Sequence, residues 1–391
     1  MKFTFKTTKF ACYLGYITQA VVNNFSPLLF VMFSEQFNLS ITKIASLITI
    51  NFVSQMFVDL FGARYVEKIG YRRVLIGGQV FAAAGLILLG ILPFIMNPYI
   101  GLIIATIICA VGSGLTEVMV SPVVEALPGD AKSASMSLLH SFYCWGSVYT
   151  ILIATLFFHI FGLNNWRYLS FYWAILPIIT AFLFAKVPIN VFGVEEEERT
   201  SFLSMAKSGM LWIFVLLMLC SGAAELAMSQ WASMFAETSL GISKQVGDIL
   251  GPCMFAVFMG IARVGYGKFG EKMDLANSLC ITSLICICGY LTASIFPAPL
   301  VNLAGCAICG FSVGIMWPGS LSLAAKAFPQ GGTALFGLLA LAGDIGCTTG
   351  PELVANISAF STLKTGLFAA IVFPITMITL SLILKKKMPK Q

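Results

Sequence analysis

The stretch Gly112-Ser113-Gly114-Leu115-Thr116-Glu117-Val118-Met119-Val120-Ser121-Pro122 reaches a short polar break at Pro128-Gly129-Asp130 and resumes through Leu138-Leu139-His140-Ser141 to Trp145-Gly146. Both flanks are apolar runs of membrane-spanning length. Glu117 and His140 would therefore lie in hydrocarbon or in a cavity within it, where an ionisable side chain costs roughly 3 kcal/mol on insertion scales and marks a functional site. The chain turns between them, which puts the acid and the imidazole at similar depth on neighbouring helices.

Composition agrees with a membrane setting. The 391 residues are 58% hydrophobic and 10% charged, with a mean hydropathy of +0.92, whereas soluble domains carry about 25% charge. Apolar runs bounded by charge or Pro/Gly breaks predict helices near 10–34, 42–66, 74–96, 99–126, 135–161, 166–186, 209–236, 246–268, 275–296, 299–326, 331–358 and 362–384. At about 20 to 25 residues per span this is an all-α polytopic protein of twelve transmembrane helices. Lys2, Lys6 and Lys9 flank a first run that is a helix in its own right and lacks a small-residue cleavage pattern, so no cleavable signal peptide is expected.

Of the 23 Lys and Arg, only Lys43, Arg167, Lys244 and Lys364 fall on one side. Arg263 lies inside an apolar run, and the rest fall on the other side, which places both termini in the cytoplasm. The same bias explains the net charge of +6 without a nucleic-acid partner. The one sustained charge run, Glu195-Glu196-Glu197-Glu198-Arg199, lies in 187–208 and reads as a solvated linker between six-helix halves at 1–186 and 209–391. Two such bundles would rock about a site at mid-membrane.

The order Gly112, Gly114, Glu117, Pro122 and His140 resembles the hairpin of the fourth and fifth helices in the fucose/galactose/glucose proton symporters of the major facilitator superfamily. Further runs resemble that family. Ser221-Gly222-Ala223-Ala224-Glu225, with Trp231 six residues on, is similar to the start of its broken seventh helix. Gly310 to Leu323, containing Trp317-Pro318, is similar to its tenth, and Gly343-Asp344-Ile345-Gly346 with Pro351 to its eleventh. Gly62 to Arg73 resembles the superfamily's loop between the second and third helices.

The resemblance implies the major facilitator fold of two pseudo-symmetric six-helix bundles, and a monomer in a bacterial inner membrane. It also implies uptake of a sugar or sugar-like neutral solute with the proton as coupling ion, without further cofactor, metal or catalytic centre. Glu117 and His140 would carry the proton. Gln19, Asn23, Asn24, Glu117, His140, Glu225, Trp231, Trp317 and Asp344 would line the substrate site. A carboxylate accepts from two adjacent hydroxyls, and an indole offers a flat apolar face to a pyranose ring. Trp231 is equally readable as an interfacial belt residue.

Two departures stand out. Ser26 or Pro27 occupies the place of an Asp in the first helix of those symporters, leaving coupling to Glu117. Asp344 and Glu352 are acids where the family's pattern has none. Four acids within the apolar runs keep a second function open, a proton antiporter exporting organic cations or drugs.

Asp59 and Glu67, eight apart, correspond by position to Arg263 and Glu271. Asp59, Glu67, Arg72 and Arg73 would brace a cytoplasmic gate with Arg263, either across the halves or each satisfied within its own half. Cys306-x-x-Cys309 reads as helix packing beside Gly305 and Gly310, since no His or third thiol accompanies it.

Overall fold

The computed structural model describes residues 3–125, 127–128, 132–189, 207–269, 274–328 and 332–387, with the side chains at 61–64, 66–68, 122, 125, 132–137, 332–334 and 336 also outside the description. The acidic run at 195–198 and Glu271 lie outside the described residues.

Among the described residues the chain forms twelve long helices. The first six are α1 (Phe5–Phe37), α2 (Ile41–Ile69), α3 (Tyr71–Ile95), α4 (Pro98–Glu125), α5 (Lys132–Phe161) and α6 (Trp166–Lys186). The second six are α7 (Gly209–Ser239), α8 (Lys244–Phe269), α9 (Leu275–Ile295), α10 (Pro299–Ala327), α11 (Gly332–Ala359) and α12 (Leu363–Lys387). Eleven are long and apolar enough to cross a membrane. The other, α11, has the length but carries Asp344 and Glu352 among its glycines.

Several helices start where the sequence supplies a cap. Ser208, Asp274 and Thr362 each accept a backbone N–H at the head of α7, α9 and α12. Asn38 ends α1 in the left-handed region at φ 52°, a conformation that Asn tolerates. The observed α1 is longer than the predicted 10–34 at both ends. The resemblance implied a broken seventh helix, and α7 does break, its regular part ending at Ser229 before a π-helical turn at Phe235–Ser239. Breaks also occur in α3 between Leu89 and Leu92, in α12 between Ala369 and Val372, in α1, tightened to a 3₁₀ turn at Ser26–Leu29 around Pro27, and in α8, with a π turn at Ile249–Cys253 around Pro252. Proline removes a backbone donor and crowds the preceding turn, which accounts for the last two.

The chain divides into two compact units, one of residues 1–193 with 244–249, the other of 194–243 with 250–391. In the first unit α1 packs on α4, α5 and α6, α3 on α4 and α6, and α2 on α4. In the second, α7 packs on α10, α11 and α12, α9 on α10 and α12, and α8 on α10.

Lipid tails are as apolar as leucine, so close backbone approach and van der Waals contact must hold such helices together. Glycine supplies the approach. A side chain at Gly112 of α4 would strike the backbone of Ala82 on α3, and one at Gly85 that of Cys109. In the second unit Gly305 faces the backbone of Ala293 and Gly289 that of Cys309. The thiols of Cys306 and Cys309 are fully buried in this second seam, the Cys309 Sγ 3.8 Å from the Cys286 carbonyl oxygen, as the packing reading of that pair expects.

Candidate functional site

In the first unit the site grows from a polar stripe on α1. Tyr16, Gln19 and Asn23 are spaced i, i+3 and i+7 and so share one helical face. All three are buried. The opposing helix α4 is seated by its glycines, Gly112 against α3 and Gly114 against Val58 and Gln55 of α2. Glu117, three to five residues on, is thereby turned toward α1, and the Gln19 side-chain amide donates to its Oε2.

One turn further along α1, Asn23 Oδ1 accepts from Asn51 Nδ2 at 3.4 Å and Gln55 Nε2 at 3.5 Å, both on α2. Ser113 of α4 donates to Gln55 Oε1 at 3.4 Å. On the neighbouring face Asn24 Nδ2 bonds Ser147 Oγ of α5 at 3.0 Å and the Ala20 carbonyl at 2.8 Å.

Toward the other end of the stripe, the Tyr16 hydroxyl lies 3.1 Å from Ser121 Oγ, one turn past Glu117. Its ring meets His140 of α5 edge-on, with centroids 5.3 Å apart. The expected pair, Glu117 on α4 and His140 on α5, is thus gathered onto adjacent turns of α1. Met119, Val120 and Leu139, their sequence neighbours, sit in one apolar core with Tyr16 and Phe184. That core fixes the rotation of both helices.

Tyr16, Asn51, Gln55, Ser113 and Ser121 complete this cluster and were not singled out in the sequence. The signal was present in two places. The spacing of Tyr16 to Gln19 and Asn23 repeats a helical face, and Asn51 and Gln55 stand i, i+4 in the second apolar run.

The second unit is built differently. Along α7 and α11 a glycine seam brings backbones into contact, Gly222 on the Gly343 carbonyl, Gly346 on Leu219 and Gly350 on Ala223. Glu225, one turn beyond Gly222, meets Arg263 of α8, whose Nη2 donates to Glu225 Oε2 at 3.2 Å, with both side chains about nine-tenths buried. Tyr290 of α9 donates to the adjacent Ala224 carbonyl at 2.7 Å. The Trp317 ring of α10 covers Gly343, next to Asp344, which is 6% exposed.

Three expectations change. Trp231 is fully buried and its indole N–H donates to the Pro351 carbonyl at 3.2 Å, so it offers a ring face neither to a solute nor to the membrane interface. Trp231 makes this bond from the break in α7, against a continuous α11.

Arg263, expected at a cytoplasmic gate, is committed to Glu225 of its own unit. A guanidinium inside a bundle takes the acid within reach, since leaving either partner alone costs about 3–5 kcal/mol. Arg72 likewise turns inward on its own unit, donating to the Phe184 and Ala185 carbonyls at 2.9 Å each. Those carbonyls lie in the last turn of α6, where acceptors lack helical donors and the dipole favours a cation.

Asp59 is half-buried on α2 and Arg73 is exposed, while the Glu67 side chain lies outside the described residues.

Residues 12–351 match the sequence model of the Major Facilitator Superfamily. Among solved structures the chain is similar to a Major Facilitator Superfamily transporter, FucP, in the outward conformation, with 16% identity over 98% of this chain and 99% of that one and a TM-score of 0.68. It is similar to the E. coli fucose:proton symporter FucP in a second crystal structure, with 16% identity, 98% of each chain and a TM-score of 0.67. A D-xylose-proton symporter matches with a TM-score of 0.79 at 14% identity, over 98% of this chain and 97% of that one.

Proposed function

The chain belongs to the major facilitator superfamily, and from that premise we propose that it takes up a sugar or sugar-like neutral solute together with a proton by alternating access. The observation that carries this reading is the cluster of amides, hydroxyls and one carboxylate at Gln19, Asn23, Asn51, Gln55, Ser113 and Glu117. Such groups both donate and accept, as a polyhydroxylated solute requires, and carry little net charge to select an ion. The two solved symporters for fucose and xylose share the fold and support the substrate class.

In this reading Glu117 is the coupling acid. A carboxyl at membrane depth that loads a proton from one face and releases it at the other couples the gradient to the solute. His140, against Tyr16 on the next turn, is placed to share that proton. Asn24, bonded to Ser147, is a further substrate contact from the first unit, and Trp317 and Asp344 are further contacts from the second. The protein works as a monomer in a bacterial inner membrane with both termini in the cytoplasm, and serves as a carrier without a catalytic centre. Asp59, Glu67 and Arg73 flank its cytoplasmic gate.

Export of organic cations was the competing reading, and it drew on four intramembrane acids. Glu225 no longer counts among them, because Arg263 neutralises it. Cells expressing the protein should accumulate a tritiated hexose or pentose faster as the outside is acidified. Efflux of a cationic dye without sugar accumulation would replace this reading with the exporter.

A further inference from the structure

Where α1 and α3 end and α6 begins, the first unit carries an aromatic platform. Trp166, fully buried, donates its indole N–H to Gln36 Oε1 at 3.0 Å and meets Phe33 edge-on, with centroids 5.5 Å apart. Phe94, in the last turn of α3, packs on Trp166 at 5.7 Å and on Phe37 at 5.9 Å. The guanidinium carbon of Arg167 lies 4.7 Å from the centroid of the Phe94 ring and 5.7 Å from that of Tyr168. Both distances are within cation–π reach.

What this cation lacks is an acceptor. Of the four basic residues expected on the side opposite the termini, Lys244 pairs with Asp248 at 3.0 Å. Lys364 donates to the Phe296 carbonyl and to Asn302 Oδ1 at 3.3 Å each. Lys43 is exposed beside Tyr99. Arg167 is half-buried, and among the described residues its side chain makes neither an ion pair nor a hydrogen bond. Its Nε is shut away from solvent, whereas the two terminal nitrogens are not. Stacking engages the flat face of a guanidinium and leaves the N–H groups in its plane available along the edge. A charge drawn out of water is costly without a partner, and here the partner has to come from outside the chain.

We propose that Arg167, held between the rings of Phe94 and Tyr168, binds the headgroup phosphate of an anionic phospholipid. The helix that carries it is long and apolar enough to cross a membrane, and Arg167 stands in its first turn, at the depth of the headgroups. Tyr168, Tyr172, Ile175, Ile179 and Phe182 follow at spacings of three or four and are all exposed, so they form one continuous face. That face runs from the headgroup level into hydrocarbon and gives the acyl chains a track. A phosphate fits the donor edge of a guanidinium through paired N–H bonds. The head of α6 adds the positive end of its dipole, left uncapped because the Asn165 amide is bonded to the Phe161 carbonyl. Phosphatidylglycerol is favoured over phosphatidylcholine, whose ammonium would stand beside the guanidinium as a like charge.

Native mass spectrometry of the purified full-length protein tests this, with dioleoyl phosphatidylglycerol or dioleoyl phosphatidylcholine titrated into the detergent. The wild type should hold one phosphatidylglycerol more tightly than it holds phosphatidylcholine. In Arg167→Gln the affinity for that lipid should fall roughly five- to tenfold. Arg167→Lys should keep part of it, since the charge stays and the stacked plane is lost. Lys43→Gln, which removes an exposed cation from the same side, should bind as the wild type does.

Wild-type affinity in Arg167→Gln overturns the proposal, and so does equal retention of the two lipids by the wild type. An equal loss in Lys43→Gln would reduce the effect to surface charge, and displacement of the lipid by an equal concentration of sodium phosphate would give the site to a free anion; either result also overturns it. Should Arg167→Gln fail to fold, the wild type decides alone. A phosphatidylglycerol carrying a diazirine near its headgroup should crosslink to the Arg167–Ile179 stretch, and adducts confined to other helices would refute the site.

Discussion

Glu117 and Glu225 are the same side chain in helices of the same kind, and they meet different partners. Glu117 lies half-buried against the Gln19 amide and one turn from the Tyr16–Ser121 contact. Replacing it by Gln mimics its protonated form. The variant should keep counterflow exchange of sugar across proteoliposome membranes and lose accumulation driven by a pH gradient; accumulation at the wild-type level would dismiss Glu117 as the coupling acid. Neighbouring Asn23 gathers Asn51 and Gln55. Asn23→Ala should weaken sugar binding in isothermal calorimetry by about 1–3 kcal/mol, because it takes an acceptor from the buried Gln55 amide and the half-buried Asn51 amide. Arg72, by contrast, caps α6. Its loss should register in thermal stability more than in affinity, and Arg72→Lys should recover part of that stability through the same carbonyls.

Each bundle is held by seams in which a missing side chain is the functional feature. At Gly346 an added methyl would meet the Leu219 carbonyl head-on, whereas at Gly337 on the same helix it would meet nothing within 4 Å. Gly346→Ala should therefore lower the melting temperature, at an overpacking cost of about 1–3 kcal/mol, while Gly337→Ala should leave it unchanged or raised, since alanine is the better helix former. Differential scanning fluorimetry with a thiol-reactive dye reads both, and equal melting temperatures would show that the seam yields freely. The broken elements are of another kind. The interruptions in α1 at Pro27 and in α7 near Trp231 occur beside Asn23 and Glu225 respectively. Backbone that is not regularly hydrogen-bonded is tolerated at membrane depth where protein groups satisfy it, and from the break in α7 the Trp231 indole reaches the Pro351 carbonyl of α11.

For the whole molecule, the distribution of Lys and Arg predicts which side each loop occupies. A cysteine placed at the exposed Lys43 should react with a membrane-impermeant maleimide on intact cells. One at the exposed Lys207 should react only after permeabilisation, in both cases with Cys288, the exposed native thiol, replaced by Ala. The reverse pattern would invert the topology. Sequence alone determined the class of the molecule, because a hydrophobic run of membrane length leaves a helix as its only way to satisfy the backbone, and twelve such runs are countable without coordinates. It also picked out Glu117, His140, Gln19 and Asn23, since polar groups are rare enough in such runs to stand out singly. What it left open was who meets whom. Arg263 could face Asp59 across a gate or an acid in its own bundle, and Trp231 could line a site or a membrane surface. Each choice depends on the rotation of one helix against another, which is set by glycine contacts tens to hundreds of residues apart in the chain. Only tertiary packing brought Arg263 to Glu225 and Trp231 to Pro351, because a buried charge or donor is satisfied by whichever partner the packed helices place within bonding distance.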